Sequence, residues 1–149
     1  MRSSSGGGVS VFRHELYHHP SSEMTRYIGR LVISPLEMIC GRRWYRLEEA
    51  FGFSSSRLGR SIHVPAGFVT DMASIPRWIQ PFLQKDEGCL EAAVIHDYAY
   101  SADCPHGLTR KQADELFLEA MTEAGVGPVK RGLMYHAVRK FGARSWRKR

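Results

Sequence analysis

The sequence has few cysteines and no long apolar run. Its 149 residues include three cysteines, Cys40, Cys89 and Cys104, which lie far apart and outside any Cys/His spacing typical of a zinc site. This pattern predicts reduced, unpaired thiols and weighs against a scaffold held together by disulfides. Because no apolar run of about 18 residues occurs, we expect no transmembrane helix.

The first residues also lack the apolar centre of a signal peptide, since 1–8 are rich in serine and glycine. We therefore expect synthesis in the cytoplasm without an export signal. A length of 149 residues, with 43% hydrophobic and 24% charged residues, is typical of one globular domain. The expected organisation is a flexible leader at 1–23, a single globular domain at 24–146 and a basic tail at 147–149.

Part of the net charge of +6 lies near the end of the sequence, in Arg144, Arg147, Lys148 and Arg149. A basic end of this kind can bind nucleic acid or an acidic surface. No platform of interleaved aromatic residues accompanies the charge, so we favour a solvated tail over a nucleic-acid-binding one.

The first half of the chain has the composition of β-strands. Strands are predicted at 27–33, 43–47 and 60–65, with Pro35 closing the first and Pro65 ending the last. The segment 51–56, Phe-Gly-Phe followed by three serines, predicts a strand end or a loop. These segments together indicate a small antiparallel sheet.

The second half has helical patterns. Three helices are predicted, at 88–102, 109–125 and 128–142. Thr109 and Gly125 are the expected caps of the second helix, while Pro128 in the first turn and Gly142 at the end delimit the third. We therefore predict an α+β fold with a small antiparallel N-terminal sheet followed by three packed helices.

Polar residues interrupt the apolar faces of two of these helices. His96 and Asp97 lie in an otherwise apolar run, with Tyr100 one turn after His96. Asp114 falls on the core face of the next helix, where an unpaired carboxylate is costly. Two interpretations stay open for Asp114. It either has a purely structural partner, which is Arg110 one turn earlier or a helix-cap or backbone group elsewhere, or it orients His96 as a general base.

The loop 67–77 supplies further candidates. Asp71 is a possible hard oxygen ligand for a cation, and Arg77 is a charged residue on a structured loop. Ser74 is a site candidate as well, although a role in capping the turn before Pro76 is equally consistent with its position.

The motifs at 64–77 (VPxGFxTDxASIPR), 92–100 (with HDYxY), 110–114 and 134–139 resemble an uncharacterised family of bacteriophage and prophage proteins. The resemblance covers about residues 31–146. It implies a phage or prophage origin and supplies no activity.

The His-Asp-x-x-Tyr pattern, followed by Ala-Asp-x-x-Phe, also resembles phospholipases of the A-two type. This resemblance implies His96 as the base that activates water, Asp97 as a cation ligand, and Asp114 and Tyr100 as supports. The glycine-rich calcium loop and the disulfides of those enzymes are missing here. Asp71 is then the second expected ligand, for calcium or magnesium rather than zinc.

The sequence thus predicts two main functions. One is a metal-assisted hydrolase acting on an ester or cell-envelope substrate, in the phage particle or during infection. The other is a non-enzymatic tail or assembly protein that contacts other phage structural proteins and uses the same residues as a packing network. A host-directed factor acting through 144–149 is a third hypothesis. The protein is expected in the bacterial host cytoplasm, with incorporation into the virion left open.

Overall fold

The computed structural model describes residues 10–11, 26–83 and 85–146, in which strands precede helices along the chain. The strands are β1 (Ser10–Val11), β2 (Tyr27–Ile28), β3 (Val32–Ile39), β4 (Arg42–Leu47), β5 (Phe51–Ser55), β6 (Arg60–Val64) and β7 (Val69–Thr70). The helices are α1 (Gln80–Leu83), α2 (Glu87–Tyr100), α3 (Arg110–Glu123) and α4 (Pro128–Phe141), and a 3-10 helix at Gly142–Ser145 follows α4.

The predicted single sheet with three helices is wrong, because the described strands form two antiparallel sheets and four α-helices follow them. One sheet has the order β1-β3-β4-β7, and the other has the order β2-β5-β6. The segment predicted as a strand end or loop is β5, the central strand of the second sheet. Strand pairing depends on residues distant in sequence, so local composition does not reveal how many sheets form. Helix α1 has four residues, too few to show a helical period.

Pro35 does not end its strand, contrary to the prediction. Strand β3 continues past it to Ile39, and Pro35 lies opposite Tyr45 of β4. The register of the two strands shifts between Pro35 and Met38. Proline has no N–H to donate to a sheet, and such an irregularity is a place where a strand tolerates it.

Helix α2 lies at the centre of the fold. It contacts α1 and α3 on the helical side and strands β6 and β7 on the sheet side. Most of its 14 residues are buried, including Ala92, Ala93, Val94 and Ile95 with no exposed surface. This position explains its almost uniformly apolar sequence, and it means that any polar side chain on α2 must find a partner inside the protein.

The helix boundaries follow the capping residues in the sequence. Thr109 caps α3 in a capping box with Gln112, and Gly125 adopts the left-handed conformation (φ +77°) directly after the helix. Pro128 begins α4 and Gly142 caps its end. These boundaries confirm Thr109 and Gly142 as caps, while the C-cap of α3 is Ala124, one residue before the predicted Gly125.

The predicted leader at 1–23 lies outside the described residues apart from 10–11, and the predicted tail at 147–149 lies outside them entirely. The division into leader, domain and tail stays a prediction. Within 26–83 and 85–146, no helix combines the length and the apolar character that crossing a membrane requires.

Candidate functional site

His96 is completely buried on α2, and both of its ring nitrogens have partners. Its Nε2 lies 2.8 Å from Asp114 Oδ1 on α3, and its Nδ1 lies 3.2 Å from Ser74 Oγ. The imidazole packs between the rings of Tyr100 and Phe117, with centroid distances of 4.2 and 4.7 Å. The ring is therefore fixed in position as well as in hydrogen bonding.

Asp114 gathers partners from three helices. Its Oδ1 accepts the Tyr100 hydroxyl at 2.5 Å in addition to contacting His96, and its Oδ2 accepts Arg139 Nη1 at 2.7 Å. Arg110 Nη1 lies 3.7 Å from the same Oδ2. Burial acts to raise the pKa of Asp114, but the hydrogen bonds from His96, Tyr100 and Arg139 outweigh it and hold that pKa below its ordinary value. We call this set, with Asp114 at its centre, the Asp114 network.

Arg110 donates hydrogen bonds to groups at the end of α4 as well as approaching Asp114. Besides its approach to Asp114, its Nη1 donates to the carbonyl oxygens of Val138 and Arg139 at 3.4 and 3.0 Å. These carbonyls belong to the last turn of α4, where helix carbonyls have no partner within the helix. Arg110 therefore joins the start of α3 to the end of α4 around the carboxylate.

The Tyr100 hydroxyl depends on a glycine at the end of α4. Burial first, and then the hydrogen bond to Asp114, raise the pKa of Tyr100, so the phenol stays protonated and donates. A Cβ placed on Gly142 would lie 2.6 Å from the Tyr100 oxygen. Gly142 itself has an ordinary helical backbone (φ −73°), so glycine is needed here for space rather than for conformation.

Replacing Gly142 with alanine is expected to lower the free energy of unfolding by about 1–3 kcal/mol, because the new methyl group displaces the Tyr100 ring from Asp114. Chemical denaturation of the purified variant measures this change. Gly132→Ala on the same helix is the matched control, because a Cβ there meets no neighbour within 4 Å. Equal stability of the two variants would contradict the tight Tyr100 packing.

Ser74 lies on the loop between β7 and α1, and Asp97 holds that loop in place. Asp97 accepts the Thr70 hydroxyl with one oxygen and the Ser74 backbone N–H at 3.3 Å with the other. On the opposite side of the loop, Ser145 Oγ donates to the Ala73 carbonyl at 2.6 Å. The consecutive residues His96 and Asp97 thus contact the side chain and the backbone of the same serine.

A cleft of about 370 Å³ opens beside this loop. We call it the Ser74 cleft, and it is lined by Trp44, Asp71, Ala73, Ser74, Asp97, Tyr100, Ser101, Ala102, Asp103 and Ser145. His96 and Asp114 have no exposed surface, whereas Ser74, 1% exposed, is part of the cleft wall. Ser74 therefore lies between the cleft and the buried histidine.

Trp44 brings an unused donor to the same wall. Its indole N–H is buried and has no hydrogen-bond acceptor among the described residues. A buried donor without an acceptor costs about 1–3 kcal/mol. An acceptor atom of a bound ligand would remove that cost.

The two carboxylates predicted to hold a cation already have protein partners. Both oxygens of Asp97 accept hydrogen bonds from the loop, while Asp71 pairs with Arg42 Nη1 at 3.0 Å and accepts the Ala73 N–H at 2.9 Å. In the part of the chain that the structure describes, no three His, Cys, Asp or Glu side chains are placed to hold a metal ion. Protein donors thus already contact both carboxylates, and a divalent cation at Asp97 and Asp71 stays a prediction.

The structure brings together most of the residues singled out by the sequence, namely Ser74, His96, Asp97, Tyr100, Arg110 and Asp114. Asp71 borders the Ser74 cleft without contacting them, and Arg77 lies in a separate cavity. Sequence reasoning missed Arg139, Thr70 and Trp44. No local pattern could pair Arg139 with Asp114, which lies 25 positions earlier, or Thr70 with Asp97, which lies 27 positions later.

A family profile described as a protein of unknown function, DUF1353, matches residues 45–138, and the chain belongs to this family. Comparisons with curated proteins and with solved structures find no match. The matched region contains Ser74, His96 and Asp114, and it ends one residue before Arg139.

Proposed function

We propose that this DUF1353 protein is a hydrolase in which Ser74 is the nucleophile, His96 the general base and Asp114 the carboxylate that orients the base. One observation carries the proposal. Ser74 Oγ, the His96 ring and Asp114 form a continuous hydrogen-bonded chain, with steps of 3.2 and 2.8 Å, from the wall of the Ser74 cleft to a buried carboxylate. A serine, a histidine and a carboxylate in this order are the groups that acyl transfer requires.

The hydrogen bonds determine how the proton moves. Asp114 accepts at Nε2, so we assign the imidazole proton to Nε2, and Nδ1 is left with its lone pair toward Ser74. As Ser74 Oγ bonds to the acyl carbon, its proton passes to His96 Nδ1 and then to the leaving group. Water releases the acyl group from Ser74 by the same proton path in reverse. Asp114 stays ionised throughout and stabilises the imidazolium that forms.

The charges of the cleft narrow the substrate class. Asp71, Asp97 and Asp103 all line it, so a neutral or cationic acyl compound fits better than an anionic one. The Ser74 N–H is already bonded to Asp97 and is not free to stabilise an oxyanion. We assign this role to the indole N–H of Trp44, a residue that lines the cleft and whose N–H has no acceptor among the described residues.

This proposal differs from the phospholipase resemblance in its nucleophile. In that resemblance His96 activates water, whereas here Ser74 occupies the position next to His96 Nδ1. The motifs shared with phage and prophage proteins support an origin in a phage or prophage and a role in the particle or during infection. An ester or amide of the bacterial cell envelope is the corresponding substrate.

A fluorophosphonate probe tests the nucleophile without knowledge of the substrate. The probe forms a Ser74 Oγ–P bond, fluoride leaves, and His96 takes the serine proton. We expect one adduct per chain by intact-protein mass spectrometry, mapped to Ser74 by peptide analysis. Ser74→Ala and His96→Gln should both abolish it.

Ser101→Ala is the matched control, because Ser101 lines the same cleft but bonds to the Tyr98 carbonyl instead of to a histidine. Labelling should persist in this variant. If the wild-type protein forms no adduct, or if the adduct is lost in Ser101→Ala, the assignment of Ser74 as the nucleophile is wrong.

One observation favours a second candidate, a non-enzymatic phage tail or assembly protein. His96 and Asp114 are fully buried with every polar side-chain atom bonded, as in a network that fixes helix packing. Under this alternative the probe labels no serine, and substitution of His96 changes only the stability of the protein.

A further inference from the structure

A second cavity lies on the other side of Asp71 from the Ser74 cleft. It has a volume of about 90 Å³, and we call it the arginine pocket. Its lining residues are Gly41, Arg42, Arg43, Tyr45, Asp71, Met72, Arg77, Gln80, Leu83 and Leu90. Residues from β4, from the loop that follows β7 and from α1 and α2 therefore meet around it.

The charges in the arginine pocket do not balance. Arg42 pairs with Asp71 at 3.0 Å, which accounts for one guanidinium and for the single carboxylate of the lining. Arg43 and Arg77 have no acidic partner within 26–83 and 85–146. Both residues are exposed, and two guanidinium groups without a carboxylate partner on one small cavity give it a positive charge that favours an anion.

Apart from the Tyr45 hydroxyl, the rest of the lining is apolar or already bonded. Met72, Leu83 and Leu90 are buried, and Gln80 Nε2 donates to the Met72 and Ile75 carbonyls at 3.3 and 3.2 Å. The guanidinium groups of Arg43 and Arg77, together with the Tyr45 hydroxyl, are thus the donors of the lining that a ligand can use. Their planar, forked geometry matches the paired oxygens of phosphate and carboxylate.

We propose that the arginine pocket binds the phosphate or carboxylate group of a ligand through Arg43 and Arg77, with the apolar part of the ligand against Met72, Leu83 and Leu90. This site is separate from Ser74 and does not depend on the proposed hydrolysis. Two sources offer the same chemistry, namely a soluble phosphate compound and the headgroup of an anionic lipid.

Asp71 is the natural competitor of the ligand. Its Oδ2 holds Arg42, while its Oδ1 accepts the Ala73 N–H and so shapes the loop. Asparagine at this position keeps an oxygen for the Ala73 N–H but carries no charge. Asp71→Asn therefore frees Arg42 for the ligand and should strengthen anion binding, an effect that loss of structure would not produce.

The test is titration calorimetry of the full chain with inorganic phosphate at constant ionic strength. Relative to the wild type, Arg43→Gln and Arg77→Gln should each weaken binding about tenfold, as expected for a lost charge-assisted hydrogen bond. Asp71→Asn should tighten it severalfold. The charge-matched controls are Arg57→Gln and Glu115→Gln, which lie outside the pocket lining and should leave the affinity unchanged.

A second arm identifies the source of the anion. Phosphatidylcholine vesicles with and without phosphatidylglycerol are sedimented with each variant. Binding to the anionic vesicles that is lost in Arg43→Gln and Arg77→Gln supports a lipid headgroup, while binding of phosphate without vesicle binding supports a soluble ligand. If neither probe binds, or if Arg57→Gln weakens binding as much as Arg77→Gln, the pocket is not an anion site.

Discussion

Asp114→Ala is expected to lower the free energy of unfolding by about 3–5 kcal/mol. The substitution removes the acceptor shared by His96, Tyr100 and Arg139 and leaves buried donors without partners. It also removes the carboxylate that compensates Arg139. Urea denaturation followed by circular dichroism measures the change, and a chain that no longer folds lies at the upper end of the same expectation.

Glu115→Ala is the matched control, because Glu115 follows Asp114 on α3 but makes only a 3.9 Å pair with Lys111 near the surface. It should change the free energy of unfolding by no more than about 0.5 kcal/mol. If Asp114→Ala is as mild as Glu115→Ala, the network does not hold the three helices together.

Acid provides a second readout of the same carboxylate. The pKa of Asp114 is lower in the folded protein than in the unfolded chain, where it is about 3.9. Its contribution to stability is therefore fully present above that unfolded value and is lost as the pH falls below it toward the folded pKa. Asp114→Asn should remove this part of the acid dependence, so its free energy of unfolding should fall less steeply below about pH 4 than that of the wild type.

Ser74→Ala and His96→Gln are each expected to lower kcat for an ester substrate by about six orders of magnitude, the loss found when the serine or the histidine of such a triad is removed. Initial rates with p-nitrophenyl esters of increasing acyl length measure the effect. Gln in place of His96 keeps a polar side chain that can bond to Asp114, so activity falls for lack of a base rather than for lack of folding.

The double variant separates catalysis from packing. If Ser74 and His96 act as a unit, the Ser74→Ala/His96→Gln enzyme should be no slower than either single variant, because the reaction that remains uses neither group. Additive losses would contradict a shared mechanism. Wild-type protein that hydrolyses no ester, amide or peptidoglycan substrate would leave the packing role as the function of the network.

The helices were more predictable from the sequence than the sheets. Thr109, Gly125 and Pro128 act through contacts within a few residues, so their effect on α3 and α4 is visible in the sequence itself. The strands were located approximately, but Leu47 and Phe51 belong to different sheets although only three residues separate them. The change from one sheet to the other between β4 and β5 is set by packing across the core, which a local sequence pattern does not reveal.

The polar site was predictable because the sequence places a charged residue on a helix face that is otherwise apolar. Asp114 lies on an apolar helix face, and this alone requires a partner from another element. The identities of His96 and Tyr100 as partners followed from their position on the adjacent apolar helix. Arg139 and Ser74 could not be assigned in the same way, because the angle between α3 and α4 and the path of the loop are tertiary properties.

The contacts of His96 and Asp97 with Ser74 have a consequence for conformational entropy. Adjacent residues on a helix project about 100° apart, so one residue fixes the hydroxyl direction and the other fixes the backbone from a different side. The conformational freedom of Ser74 is then lost during folding, when α2 forms and packs against the loop that contains this serine. A ligand entering the cleft meets a group that is already oriented, and none of its binding energy is needed to restrict it.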